Sequence, residues 1–372
     1  MLIGGPLEFN PNLLTSEPLP DISQQMGYDE KNIYWTRSGR SAISLVLQTF
    51  KEELSEGWLL LPDYQCWAVN SVFSSVKTKN INVTRKLILE DNALENYLKD
   101  PELKGVFLID YFGLSNIESD ISLIKEKRPD ILIFVDAAQA FLSIVMNSYK
   151  YASADAIISS PRKFLPIPDG GLAIFPNLKI ESLGKATDNV AQQQNALFLS
   201  ASSMRTARRS FQDDDPLIKD FESVYLKNFQ EHNELFTNEV NPISVFSFEV
   251  IKRIDLHALA KHRVKNFNFL KDSLISKNLD IIEPIFCGDT SPALVFPVRI
   301  KERKRDTLRA YLQSKGIYCP VHWPIPESKE LNLGIESKVL SGEILGFPID
   351  QSCNASTMSI LLEEIHNFLK LP

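Results

Sequence analysis

The chain has 372 residues, 44% of them hydrophobic and 23% charged. That is ample for a buried core in two domains, or in one large domain with an appendage, and it excludes a disordered chain. Its 40 basic and 47 acidic residues leave a net charge of −7, which argues against a general nucleic-acid binder.

The one basic cluster, Lys301 to Arg305, reads as the solvated first turn of a helix. No uninterrupted apolar run approaches the ~20 residues that a membrane helix needs, and no basic segment precedes an apolar one at the start, so no secretory signal is read. Cys66, Cys287, Cys319 and Cys353 lie far apart without CxxC spacing. They are expected to be free thiols in a reducing cytoplasm, with neither a disulfide framework nor a zinc site. His257 and His262 are off the i,i+4 spacing of a helical metal pair.

Residues 1 to about 30 are rich in Pro, Asn and Ser and read as an arm with one short helix. Ile33–Trp35 is a strand, followed by Thr36-Arg-Ser-Gly-Arg-Ser41. From there Ile43, Val46, Leu47, Phe50 and Leu54 recur at helical spacing. Ser38 to Ser41 therefore open a helix whose free N–H groups can bind phosphate, although a plain N-cap accounts for the same residues. Trp58–Leu61 is a strand, and the segment after Trp67 reads as a helix through Val72, with Val83–Leu89 as an outer strand. Gly105–Ile109 is a further strand, ending at Asp110-Tyr-Phe-Gly113, and Glu118–Arg128 is a helix stopped by Pro129.

The central stretch runs from Ile131 to Gly171. An apolar strand, Ile131–Val135, ends in Asp136-Ala-Ala-Gln139. A second, Ala154–Ile158, ends in Ser159-Ser-Pro-Arg-Lys163. Pro168-Asp-Gly-Gly171 then turns into a third, Leu172–Phe175. Continuously apolar strands alternating with helices predict a mainly parallel sheet covered on both faces, which places ligands at the strands' carboxyl ends. Ser38, Tyr64, Asp110, Asp136 and Lys163 all fall at or just after such ends. A carboxylate and a lysine presented together in this way suit pyridoxal 5'-phosphate (PLP). The carboxylate keeps the pyridine nitrogen protonated and the lysine amine forms a Schiff base with the aldehyde.

Residues 178 to 240 are polar and helical and are expected to cross to another domain or a second subunit. Asp213 to Pro216 breaks them. After Pro242 come a helical stretch from Phe246 to Leu274, a strand Ala293–Val298, a helix Arg305–Ser314, the segment Gly316 to Pro324 and a last helix Thr357–Leu369. The expected division is a large domain over residues 1–240, with the N-terminal arm, and a smaller α+β domain over 241–372.

Taken in order, Ser38-Gly-Arg-Ser-Ala42, Pro62-Asp-Tyr-Gln-Cys66, Asp110-Tyr-Phe-Gly113, Asp136-Ala-Ala-Gln139 and Ser160-Pro-Arg-Lys163 resemble the fold type I PLP-dependent aminotransferases, within them the DegT/DnrJ/EryC1/StrS sugar aminotransferases. Gly316 to Pro324, around His322, and Leu345 to Asp350 are similar to the C-terminal motifs of that group. The form around the lysine, Arg162-Lys-Phe-Leu-Pro-Ile-Pro-Asp-Gly-Gly171, marks an outlying branch. The resemblance implies an α/β fold with a smaller C-terminal α+β domain, PLP as cofactor, glutamate as donor, a nucleotide-linked keto-sugar as acceptor, and a homodimer with shared active sites. It implies Lys163 as the Schiff-base residue and Asp136 on the pyridine nitrogen. Gln139 would lie near the phenolic oxygen. Gly39, Arg40, Ser41 and Ser160 would lie around the phosphate, with Cys66, Trp67 or Tyr64 against the ring and Tyr111 and His322 toward substrate. Arg162 is expected to disfavour the ammonium form of Lys163 by like charge. The alternatives are another PLP enzyme of this fold, such as a lyase or a desulfurase using Cys287, and a PLP-binding regulator without turnover.

Overall fold

The computed structural model describes residues 2–19, 22–90, 92–147, 150–211, 215–277, 280–285, 291–324 and 333–371. Cys287, Asp213 and Asp214 lie outside the described residues. The chain begins with β1 (Ile3–Gly4) and α1 (Ile22–Met26), then runs β2 (Ile33–Thr36), α2 (Gly39–Thr49), α3 (Lys51–Ser55), β3 (Trp58–Pro62), β4 (Thr78–Ile81), α4 (Ala93–Tyr97), β5 (Leu103–Ile109), α5 (Glu118–Lys127), β6 (Leu132–Ala137), α6 (Phe141–Met146), β7 (Ala156–Ser159) and β8 (Gly171–Ile174). Two long helices, α7 (Asn189–Arg208) and α8 (Ile218–Glu234), pack against each other. The rest comprises α9 (Val245–Ile251), α10 (Leu256–Lys277), β9 (Ile282–Pro284), β10 (Phe296–Ile300), α11 (Arg305–Ser314), β11 (Ile317–Tyr318), α12 (Ile335–Glu343), β12 (Ile344–Phe347) and α13 (Ala355–Leu369). Among the described residues no helix is long and apolar enough to cross a membrane.

Seven strands form one sheet in the order β2-β8-β7-β6-β5-β3-β4. From β7 to β4 every pairing is parallel, and β8 runs antiparallel to both of its neighbours. Both faces are buried because alternate residues of the apolar runs point to opposite sides. Phe107 and Phe134 join the core that includes α2 and the C-terminal elements. Val106, Leu108, Ile133 and Val135 join the core that includes α5, α6 and residues 243–260. A smaller antiparallel sheet, β12-β10-β9, lies in the C-terminal part, and β1 pairs in parallel with β11.

The parallel register sets the site. Ile109, Asp136 and Ile158 stand opposite one another on β5, β6 and β7. All three strands thus end together, and the loops after them open on the same edge. The antiparallel return of β8 is made by the Asp169-Gly170-Gly171 turn. Gly170 has φ +150° and donates its N–H to the Arg37 carbonyl at 2.8 Å. A Cβ on Gly171 would lie 2.1 Å from the Ser38 carbonyl oxygen, so only glycine lets β8 pass the start of α2. The buried Asp169 carboxylate accepts from the Ser244 N–H at 2.8 Å, the Ser244 hydroxyl at 2.6 Å and the Ser247 hydroxyl, which anchors the turn to the start of α9.

Three expected elements differ. The outer strand is Thr78–Ile81 and not Val83–Leu89, where only a single bridge between those two residues forms. Thr78, Lys79 and Asn80 are exposed, so this polar edge strand carries no apolar signal to read. In place of the helix expected after Trp67, the chain forms two 3-10 turns, Trp67–Val69 and Val72–Ser75; Asn70, Ser71, Ser74 and Ser75 are weak helix formers. The stretch from Phe246 to Leu274 is two helices. Asp255 separates them, accepting the Ala258 N–H at 2.8 Å near the start of α10.

The Ser38 carbonyl that would meet a Gly171 side chain accepts the first N–H of α2, from Ala42, at 3.0 Å. Gly171→Ala is therefore expected to cost about 2–3 kcal/mol by overpacking. Gly342→Ala, in α12 with no neighbour within 4 Å of the added Cβ, is expected to be neutral or slightly stabilising. Urea unfolding of the two variants checks this, and equal midpoints would refute the close approach.

Candidate active site

A cavity of about 300 Å³ lies at the carboxyl edge of β5, β6 and β7. Its wall includes Gly39 and Arg40 from the start of α2, Asp136 at the end of β6 and Gln139 after it, and Ser160, Arg162 and Lys163 after β7. Cys66 and Trp323 complete the sides that concern the chemistry.

The anion end is built by α2. Ser38 caps the helix, its Oγ accepting the Ser41 N–H at 3.1 Å. The Gly39 and Arg40 amides lie ahead of the first intrahelical bond, at the positive end of the helix dipole. A Cβ on Gly39 would come within 3.7 Å of the Ser160 Cβ, so the bare glycine keeps space beside Ser160. Arg40 donates to the Phe236 carbonyl at 2.8 Å, and the Arg162 guanidinium lies 4.3 Å from the Phe236 ring centroid. Burial, and then the charge of Arg40, lower Arg162 to about 10. Two guanidiniums, a helix start and a serine suit a phosphate.

The opposite end carries Asp136 and Gln139. Asp136 Oδ1 accepts the Ala138 N–H at 2.8 Å. Burial raises the Asp136 carboxyl above its usual range, and the opposing effects of Lys163 and the Ala138 amide are smaller. A cationic ring nitrogen would stabilise this desolvated carboxylate. Gln139 is buried; its Oε1 accepts the Phe112 N–H at 3.1 Å, and its Nε2 is a donor without a partner among the described residues. A buried amide donor of this kind suits an anionic oxygen of a bound ring. Lys163 stands between the two ends. Burial lowers its ammonium below the ordinary lysine value; Cys66 and Asp136 oppose this, and Arg162 adds a lesser push in the same direction. Like charge from Arg162 thus contributes, with burial as the main cause. These residues fit PLP in charge and in donor and acceptor type.

Of the residues singled out in the sequence, the cavity gathers Lys163, Asp136, Gly39, Arg40, Cys66, Gln139 and Ser160. Ser41 is buried behind the wall, its hydroxyl donating to the Glu239 carbonyl at 2.7 Å. Trp67 faces another surface groove and donates from Nε1 to the Pro324 carbonyl at 2.7 Å. Tyr111 is buried outside the cavity, its hydroxyl bonded to the Tyr64 carbonyl at 2.5 Å. Asp110 forms a 3.1 Å ion pair with Lys150. His322 lines a second cavity of about 560 Å³, which shares Arg162 and Lys163 with the first. Trp323, Asn233 and Phe236 reach the first cavity from distant segments, and sequence reading missed them. Trp323 stood in the motif around His322, which was the one signal available.

No protein-family model and no curated protein matches the sequence, whereas solved structures do. A DegT DnrJ EryC1 StrS aminotransferase from Brucella abortus superposes with TM-score 0.62 at 15% identity, over 94% of this chain and 88% of its own. The sugar aminotransferase CalS13 from Micromonospora echinospora gives 0.61 at 11% identity, over 94% of this chain and 98% of its own. NtdA from Bacillus subtilis, with the cofactor PMP bound, gives 0.62 at 14% identity, over 98% and 79%. The likeness establishes the fold: a mainly parallel central sheet with flanking helices, shared with these three structures.

Two histidines border the second cavity, His232 and His322. Burial lowers His232 to about 4, with help from Arg162, and lowers His322 to about 3, with help from Lys163, both from 6.5. The unfolded chain therefore takes up protons near pH 6.5 that the folded chain refuses until the pH is much lower. Stability is fully present above 6.5 and is lost as pH falls, each group accounting for about 2 kcal/mol by pH ~5. His232 Nε2 donates to the Pro168 carbonyl at 2.7 Å, a bond that glutamine can replace. His232→Gln is expected to shrink the fall in urea stability between pH ~7.5 and ~5 by about 2 kcal/mol. An unchanged fall would contradict the assignment.

Proposed function

We propose that the chain is a PLP-dependent aminotransferase of the DegT/DnrJ/EryC1/StrS kind. It would move an amino group from glutamate to the keto group of a nucleotide-linked sugar. The observation that carries the reading is the meeting of Lys163, Asp136, Gln139 and the start of α2 in one cavity. The fold it shares with two aminotransferases and with NtdA, which has PMP bound, supports it further.

In this reading Arg40, Arg162, Ser160 and the first amides of α2 hold the phosphate. Asp136 keeps its charge against the ring nitrogen, and Gln139 Nε2 donates to the phenolic oxygen. Bound PLP supplies an electron sink that makes the substrate Cα–H acidic. Lys163 Nζ, with its ammonium form disfavoured by burial, would be the amine that holds PLP and the base that would take and return the proton. The second cavity, which shares Lys163 with the first, offers space of the size that substrates occupy. A homodimer is part of the proposal, and the exposed Leu217 and Val224, seven residues apart on and beside α8, support a contact there.

Purified protein with PLP is expected to show a visible absorbance band that bleaches with glutamate and is absent in Lys163→Ala. A band indifferent to glutamate would sink the donor assignment and favour another PLP chemistry on this fold. A wild-type protein without any band would overturn the cofactor itself.

A further inference from the structure

The turn that carries Lys163 is short, and the residue after it, Phe164, is tied to a distant part of the chain. Gln351 Nε2 donates to the Phe164 carbonyl at 2.9 Å. Gln351 Oε1 accepts from Arg263 Nη2 at 3.2 Å. Arg263, on α10, is 1% exposed, and its guanidinium lies 5.0 Å from the Phe164 ring centroid. Its Nη1 donates to the carbonyls of Ala293 and Leu294, at 3.2 and 2.9 Å. The Leu294 N–H donates to the Phe112 carbonyl at 3.0 Å, and the Phe112 N–H donates to Gln139 Oε1 at 3.1 Å. One run of bonds thus leads from Gln139, in the cavity wall, through Arg263 to the residue beside Lys163.

We propose that Arg263 is a positioning residue that sets the placement of Lys163 against Gln139, through Gln351 on one side and Leu294 on the other. The inference rests on the reading of Lys163 as the residue that links to PLP. A buried guanidinium is costly, and an apolar side chain at this place would be cheaper to bury. What an apolar side chain cannot do is hold acceptors on separate segments in one plane. The fixed fork of arginine donors does so, and lysine would not. Phe112, in the middle of the run, has φ +61°, a left-handed conformation uncommon for a bulky residue. The surrounding bonds hold it there.

Arg263→Met removes the hub and could prevent folding, so the deciding variant is Gln351→Met. It cuts only the link between Arg263 and Phe164, at a half-buried position. Three quantities are read on the full chain: the melting temperature, amide hydrogen exchange of the 163–165 segment, and the fate of added PLP. PLP is split into the amount bound at equilibrium and the fraction that borohydride fixes to Lys163. Gln351→Met is expected to melt within a few degrees of wild type and to bind PLP within about two-fold. The fixed fraction should fall at least about three-fold, and exchange at 163–165 should rise by a similar factor while β6 stays unchanged. A purely structural role would lower the melting temperature and leave the ratio of fixed to bound PLP alone, which would overturn the proposal. Should wild type fix no PLP to Lys163, the proposed function fails, and the exchange data decide by themselves. Faster exchange confined to 163–165 sustains the tether, and wild-type exchange refutes it.

Discussion

The site depends on one close approach, that of the β8 backbone to the start of α2. Gly171 lies so near the Ser38 carbonyl that no side chain fits between them. The consequence is geometric. The start of α2, which offers its free amides and Arg40, is held against the loop that carries Ser160 and Lys163. Asp169 fixes the other side of the same turn through Ser244 and Ser247. A helix start is by itself a weak anion site, and a lysine at a strand end is ordinarily solvated. Forced together over a carboxylate at the end of β6, they become a cavity with a positive end, a negative end and an amine between them.

Burial sets the chemistry of that amine. Removing Lys163 from water disfavours its ammonium form, while Asp136 and Cys66 oppose the shift. Asp136 is subject to the same effect with the opposite sign. A desolvated carboxylate beside a desolvated amine is a costly arrangement for a folded chain without a ligand. On the proposed reading a bound cofactor offsets much of that cost, because its ring nitrogen and its phosphate are the charges that the two ends lack.

The central strands, their order of appearance and the polar residues at their ends were legible in the sequence because continuous apolar runs stop at Asp110, Asp136 and Ser159. The cavity-wall residues beside two of those ends, Asp136 and Ser160, were legible for the same reason. Side-chain direction was not. Trp67 and Cys66 are neighbours, yet the 3-10 turn that begins at Trp67 turns the indole away and leaves the thiol facing the cavity. Tyr64 and Tyr111 were visible as aromatics near strand ends, but they pack with Trp323 in a buried cluster, and only Trp323 faces the cavity. Asn233 and Phe236 come from the end of α8 and the segment after it, whose polar sequence gives no sign of which face turns inward. The edge strand β4 is polar, and its pairing is visible only in three dimensions.

The two cavities meet at Arg162 and Lys163, and this bears on how one chain could serve two substrates. A transfer in two stages requires donor and acceptor to reach the same nitrogen in turn, with the cofactor fixed in place. The smaller cavity holds the groups suited to an anchored ring and phosphate. The larger one is walled by residues from both the N-terminal and the C-terminal halves, from Leu7 and Leu165 to Arg309 and Pro348. Substrates would therefore contact segments that the cofactor does not, and the choice of acceptor can vary without disturbing the lysine. On the proposed reading, cofactor binding is fixed by the sheet edge and specificity is written on the facing wall.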